Sequence, residues 1–589
     1  MADKDNCEDL KSRLFPFLCW IGELRKRTTL QADLIAGITV ALVLVPQSMA
    51  YAQLAGLPPY YGLYASFLPG IIAALFGSSR QLATGPVAVV SLMTASALEP
   101  IAGGSPELYV AYAIMLAFMV GIFQMALGLL RLGVLVNFLS HPVVIGFTNA
   151  AAIIIGTSQL GKLFGVTVET ADHTYVTVFN TIVEALRSTH METMLMAILS
   201  LGIMIVMKRF LSRVPNVLTA VVVTTLISWQ IGYEAMGGKV VGSIPEGLPA
   251  LSLPTFDLHT MVQLLSVTIA IGIIGFMEAI SIAKAMAART RQRLDANQEL
   301  VGQGLGNIVS SLSQGYAVSG SFSRSAVNIN AGAITGFSAV VTGVVVGITL
   351  LFLTPLLYHL PQATLAAVII MAVINLVKID PIKYAWKVQR HDGVVAIITF
   401  VLTLVWAPHL DKGIMAGVML SLMLFLYRSM QPRVAALSRA PDGTLRDAEI
   451  NKLETCRNIA LIRFDGSLYF ANTGYFEDKV LERVALKPDL KYVIIDAEGI
   501  NEIDATGEEM LHHLWEQLKE TGVELLVARA KKQVWDVFRR TGLIQKVGED
   551  HFFALRTHAF NYAWDKLGDN HAETCPLKVS TVAEAVRAG

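Results

Sequence analysis

Between residues 34 and 429 the chain is a succession of apolar runs, separated by short loops that carry most of the local charge. A membrane-crossing helix takes about 20 apolar residues. In hydrocarbon every backbone amide must find its partner inside the protein, so runs of this kind fold as helices. Composition agrees: 54% of the residues are hydrophobic and 16% are charged, where a soluble globular chain carries roughly 25% charge. The formal net charge is zero, which speaks against a nucleic-acid partner. Residues 1–30 are polar, partly amphipathic and charged, and lack the apolar core and small-residue cleavage site of a secretory signal.

Spans are predicted at 34–54, from the end of the Pro58–Tyr64 turn to Phe76, and at 108–130, 133–158, 193–208, 215–232, 261–284, 296–314, 335–357, 361–378, 392–408 and 411–429. Two further elements are too short to cross. One follows the extended stretch Ser79-Arg80-Gln81-Leu82-Ala83-Thr84-Gly85-Pro86, and the other is a broken run at 322–333. That makes fourteen elements, with the short ones third and tenth. A spacing of seven predicts two halves of seven inserted in opposite senses, an arrangement that secondary transporters use and that puts the binding site at the interrupted segments. Charge asymmetry supports the count. Loops on one side hold Arg80, Arg131, Lys208, Arg209, Arg213, Lys284, Arg289, Arg291, Arg293, Lys378, Lys383, Lys387 and Arg390; those on the other hold Lys162, Arg187, Lys239 and Lys412. By the positive-inside pattern both termini are expected in the cytoplasm.

The run Gly320-Ser321-Phe322-Ser323-Arg324-Ser325-Ala326-Val327-Asn328 sets small residues, hydroxyls and a full positive charge at membrane depth. A charge there faces the protein interior or a water-filled cavity. At the start of a short helix it stands beside free N–H groups, which makes an anion site. The alternative is a packing contact in which Arg324 pairs with a carboxylate. Polar groups also interrupt the first span (Gln47, Tyr51) and the eighth (Glu278). Gly302-Gln303-Gly304-Leu305-Gly306 is predicted to serve close helix packing.

After about residue 435 short apolar runs alternate with charged amphipathic helices. Strands are predicted at 459–464, 468–470, 492–496 and 524–528, and helices at 472–485, 506–520, 531–541 and 557–567, which is a small α/β domain. Residues 571–589 are expected to be a loose tail. The cysteines Cys7, Cys19, Cys456 and Cys575 have no metal-ligand spacing. No nucleophile–base pair or phosphate loop appears, so neither an enzyme nor a cofactor is expected.

Five motifs in order carry a resemblance. They are Pro46-Gln47-Ser48-Met49-Ala50-Tyr51-Ala52, Pro58-Pro59-Tyr60-Tyr61-Gly62-Leu63-Tyr64, Phe276-Met277-Glu278-Ala279-Ile280-Ser281-Ile282-Ala283-Lys284, the Ser319–Asn328 run, and Ile503-Asp504-Ala505-Thr506-Gly507. Together they resemble the SulP sulfate-permease family, related to solute-carrier family twenty-six, over nearly all of residues 15–570. The resemblance implies a cytoplasmic segment (1–30), a transmembrane transport domain (31–432) with core and gate parts, a cytoplasmic STAS domain (433–570) and a tail. It implies a homodimer in a bacterial inner or plasma membrane, and secondary active anion transport by elevator-like movement of core against gate, with sulfate uptake coupled to protons. Bicarbonate or dicarboxylate transport, coupled to sodium or protons or run as exchange, and an anion channel or sensor are the alternatives. Carried over by position, the anion pocket falls on Gln47, Tyr51, Ala88, Ser323 and Arg324. Proton coupling falls on Glu278, for which a permanent ion pair with Arg324 is the other role. Regulatory phosphorylation falls on Thr506, which is otherwise a helix N-cap.

Overall fold

The computed structural model describes residues 15–134, 140–169, 171, 173–211, 215–245, 247–374, 376–568 and 571–578. Cys7, Arg213, the first fourteen residues of the N-terminal segment and residues 579–589 of the tail lie outside them. The chain divides into two compact units, residues 1–422 and 423–589.

In the first unit the described residues form fourteen principal helical elements, the last of which runs on past residue 422. They are α1 (Arg27–Leu54), α2 (Tyr60–Phe76), α3 (Ala88–Leu98), α4 (Pro106–Leu129), α5 (His141–Ser158), α6 (Met191–Phe210), α7 (Asn216–Ile231), α8 (Leu258–Thr290), α9 (Ala296–Leu312), α10 (Phe322–Asn330), α11 (Phe337–Ile348, carried on to Leu357 by wider and tighter turns), α12 (Gln362–Val373), α13 (Arg390–Val405) and α14 (Leu410–Met430). Among the described residues seven helices are long and apolar enough to cross a membrane. Helices α3 and α10, third and tenth, have 11 and 9 residues. Each follows a two-residue strand, β1 (Thr84–Gly85) and β2 (Ser319–Gly320), and the strands pair antiparallel with Thr84 opposite Gly320.

Helices α1, α2, α4, α8, α9, α10 and α11 pack on one another, and α5, α6, α7, α12 and α13 form a second group. Glycines set the closest approaches. A β-carbon at Gly62 of α2 would lie 2.0 Å from the Ser48 carbonyl oxygen of α1, and one at Gly304 of α9 would lie 2.6 Å from the Met125 nitrogen of α4. With so little side chain between them, helices gain dispersion contact without a hydrophobic drive from lipid.

Helix α1 runs unbroken through Pro46; the Ser48 hydroxyl donates to the Val45 carbonyl at 2.9 Å, beside the amide that proline lacks. Pro86 stays outside α3, because extended Val87 (φ −136°, ψ 150°) intervenes before the helix starts at Ala88. Two surface helices, Thr174–Ser188 and Asp380–Val388, stand where loops are predicted.

The second unit is a six-stranded sheet in the order β4-β3-β5-β6-β7-β8, with β3 (Arg433–Arg439), β4 (Leu445–Asp447), β5 (Ile459–Asp465), β6 (Tyr492–Asp496), β7 (Glu524–Ala528) and β8 (Phe552–Phe553). Strands β5 to β8 are parallel, as crossover helices require. One face of the sheet (Ile462, Val493, Leu525) packs on α15 (Thr473–Ala485), α16 (Ala505–Glu520) and α17 (Lys532–Thr541). The other face (Leu461, Ile494, Leu526) packs on Phe560 of α18 (Arg556–Leu567). Burial on both faces explains why these strands read as continuous apolar runs. Residues 468–470 form no strand; Leu468 makes a single bridge to Ile503. Cys575 and Leu577 are buried, so residues 571–578 belong to the packed domain and are not loose. The thiols of Cys456 and Cys575 are free.

Candidate functional site

The β1–β2 ribbon brings the starts of α3 and α10 together in the depth of the helical unit. The residue before each helix is extended: Val87, and Ser321 (φ −114°, ψ 123°). Neither helix has a side-chain cap. Their first intrahelical bonds run from Ser91 to Val87 and from Ser325 to Ser321. The N–H groups of residues 88–90 and 322–324 are therefore unused within the helices. Uncapped helix starts carry partial positive charge.

Arg324 adds a full charge. Its side chain is completely buried. Nη1 donates to Gln47 Oε1 at 3.2 Å, while Nε and Nη2 have no partner. A β-carbon at Gly85 would lie 3.3 Å from Nη2, so the ribbon's glycine admits the guanidinium. Tyr51 and Tyr316 both lie within electrostatic reach of Arg324. A buried cation without a counter-ion costs several kcal/mol, and this one offers two free donors on one edge, the fork that fits two oxygens of an oxyanion. A cavity of about 10 Å³ adjoins it, lined in part by Thr84, Asn328 and Thr342. That is room for about one water, so an oxyanion needs side chains here to move.

Helix α9 positions the ribbon. Along one face, Glu299 accepts the N–H groups of Ser78 and Ser79, each at 2.9 Å. Gln303 donates to Thr84 Oγ1 at 2.8 Å. Asn307 accepts from the Val318 N–H at 2.8 Å and donates to its carbonyl at 3.0 Å, and Ser310 donates to the Tyr316 carbonyl at 2.6 Å. Asp33 of α1 holds the chain beyond α10, accepting from Ile334 N–H at 2.7 Å and Thr335 N–H at 3.1 Å. Sequence reasoning passed over these groups and Tyr316, whose hydroxyl meets Ser91 Oγ at 3.0 Å. The helical spacing of Glu299, Gln303, Asn307 and Ser310 was the available signal.

Of the residues expected in the pocket, Gln47, Tyr51, Ala88 and Arg324 are buried. Ser323 is exposed, and its hydroxyl meets Ser321 Oγ at 3.3 Å. Glu278 is partly exposed on α8, close enough to Tyr51 to act on it electrostatically. Among the described residues Glu278 and Arg324 form no ion pair, so the permanent salt bridge is not made. Thr506, in the other unit, is exposed and stands second in α16. The cap there is Asp504, which accepts the Gly507 N–H at 2.8 Å; Thr506 is not the N-cap.

Known proteins resemble the chain along most of its length. A probable sulfate transporter of Arabidopsis thaliana, number 4.2, is 39% identical over 566 residues, covering 92% of this chain and 82% of that protein. The murine solute carrier 26 family member A9 anion transporter, solved in the inward-facing state, has the same fold, with a TM-score of 0.86 at 24% identity over 95% of this chain and 96% of that one. The transmembrane domain of a cyanobacterial bicarbonate transporter matches with a TM-score of 0.57 at 26% identity, over 67% of this chain and 97% of that one. A STAS domain is matched at residues 451–558. The sulfate permease family model matches residues 30–399, and the chain belongs to that family.

Proposed function

We propose that this protein is a secondary active transporter that takes up sulfate. The observation that carries the proposal is the unpaired, fully buried guanidinium of Arg324 beside two uncapped helix starts. One guanidinium and two helix ends of about half a charge each amount to about two positive charges, which matches a dianion. The name of the Arabidopsis relative points the same way. In this scheme Gln47, Tyr51, Ser323 and the N–H of Ala88 complete the anion's hydrogen bonds. Glu278 takes up a proton and so removes a negative charge from the neighbourhood of the anion, coupling the two. The helix group containing α3 and α10 carries the anion past the group of α5–α7 and α12–α14 in an elevator-like movement. The working unit is a homodimer with both termini in the cytoplasm, in a bacterial inner or plasma membrane, and Thr506 is a site of regulatory phosphorylation.

The test is uptake of labelled sulfate into proteoliposomes holding the purified protein, with and without inward proton and sodium gradients. Saturable uptake stimulated by the proton gradient is expected; a non-saturating current would mean a channel. The likeness to the cyanobacterial bicarbonate transporter domain favours a second substrate. Bicarbonate competing better than sulfate in the same assay would select it.

A further inference from the structure

The surface helix Asp380–Val388 has no part in the anion site. It joins α12 to α13, so connectivity keeps it at the membrane boundary. It is held firmly. Asn149 of α5 accepts the Lys378 N–H at 2.7 Å and donates to the Lys378 carbonyl at 3.2 Å. Trp386 lies on Gly393 of α13, where a β-carbon would meet the indole at 2.5 Å. Ile382, Ala385 and Gln389 lie on the same side and are partly buried.

The opposite side is uncovered. Tyr384 is 71% exposed, Val388 59%, and Ile379, just before the helix, 60%. Lys383 and Lys387, one turn apart, border this apolar edge and are exposed, as are Lys378 and Arg390 at either end. None of the four cations pairs with a carboxylate among the described residues. The acidic residues of the stretch, Asp380 and Asp392, occupy the first turns of this helix and of α13, where helix dipoles hold them.

We propose that this helix binds the headgroups of anionic phospholipids in the leaflet it borders. Ile379, Tyr384 and Val388 seat at the acyl boundary, and Lys383 and Lys387 meet the phosphates. An apolar edge with an interfacial aromatic, flanked by cations, is what such a surface selects. The charge complements an anionic leaflet, and a nine-residue helix offers far less than the roughly 800 Å² per partner of a stable protein contact.

Native mass spectrometry of the full-length protein in neutral detergent, titrated with phosphatidylglycerol or phosphatidylcholine, tests this. Each basic residue near an anionic surface contributes about fivefold to binding. K383Q/K387Q is therefore expected to weaken the tightest phosphatidylglycerol site about 25-fold, to leave phosphatidylcholine unchanged and to keep the wild-type melting temperature, since both lysines are exposed. Y384S/V388S is expected to weaken retention of both lipids. Wild-type preference for phosphatidylglycerol in K383Q/K387Q would overturn the proposal. So would efficient cross-linking of two copies through Tyr384→Cys in vesicles, which would make this face a protein interface.

Discussion

The two half-helices share a backbone plan and differ in chemistry. Both α3 and α10 follow a strand of the same antiparallel ribbon, both leave an extended residue before an uncapped first turn, and both start deep in the helical unit. The first turn of α3 holds Ala88, Val89 and Val90, all buried; that of α10 holds Phe322, Ser323 and Arg324. Repetition thus supplies two dipole ends, while the full charge stands on one side only. A second arginine opposite the first would add another desolvated cation and repulsion between like charges.

Removing the difference between the half-helices should have the largest effect. Arg324→Ala is expected to lower sulfate affinity by more than about 100-fold, the worth of a buried charge-assisted pair, as read by calorimetry on purified protein. Its melting temperature should not fall, because the charge removed is unpaired. Unchanged affinity would make the asymmetry irrelevant to binding.

Glu278→Gln tests the proposed coupling to protons. Anion binding and exchange should persist, while stimulation of uptake by an inward proton gradient disappears. Because Glu278 makes no ion pair with Arg324, thermal stability should hold. A stable variant whose uptake still rises with the gradient takes Glu278 out of the coupling.

Smaller effects distinguish the two strands. At Gly320 a β-carbon would lie 2.8 Å from Leu82 Cδ1 and 3.0 Å from Ala279 Cα, which is backbone, whereas at Gly85 the nearest atom is Nη2 at the far end of the Arg324 side chain, at 3.3 Å. Gly320→Ala should cost about 1–3 kcal/mol of stability by overpacking, measured by thermal unfolding in detergent. Gly85→Ala should leave the melting temperature alone and shift sulfate affinity by displacing the guanidinium. Equal losses of stability in the two variants would show that the strands are interchangeable.

Least of all should change when the second unit is altered. Deleting residues 440–589, or Thr506→Asp, is expected to change the rate of uptake or the amount of protein in the membrane and not the order of preference among anions. A competition panel against labelled sulfate reads this directly, and a switched preference would mean that the pocket draws on residues outside the first unit.

Much of the candidate site was legible because hydrocarbon makes polar residues conspicuous. Arg324, Gln47 and Glu278 stand out in apolar runs, and the brevity of the third and tenth elements follows from counting residues against bilayer thickness. The cap of α16 misled. Asp504 and Thr506 are both competent caps by type, and the backbone conformation of Asp504 decides between them.

Composition and periodicity alone determine the order of the fourteen principal helices, the places where two of them are cut short and the change to an alternating α/β domain after residue 435. These are local properties: an apolar run of given length has few ways to satisfy its backbone. Only the tertiary structure decides who meets whom. Gln303 and Thr84 are 219 positions apart, and Gln47 and Arg324 are 277 apart. The pairing of β1 with β2, the contacts by which α9 holds them and the lack, among the described residues, of a counter-ion for Arg324 come from packing across such separations, for which no local periodicity carries a signal.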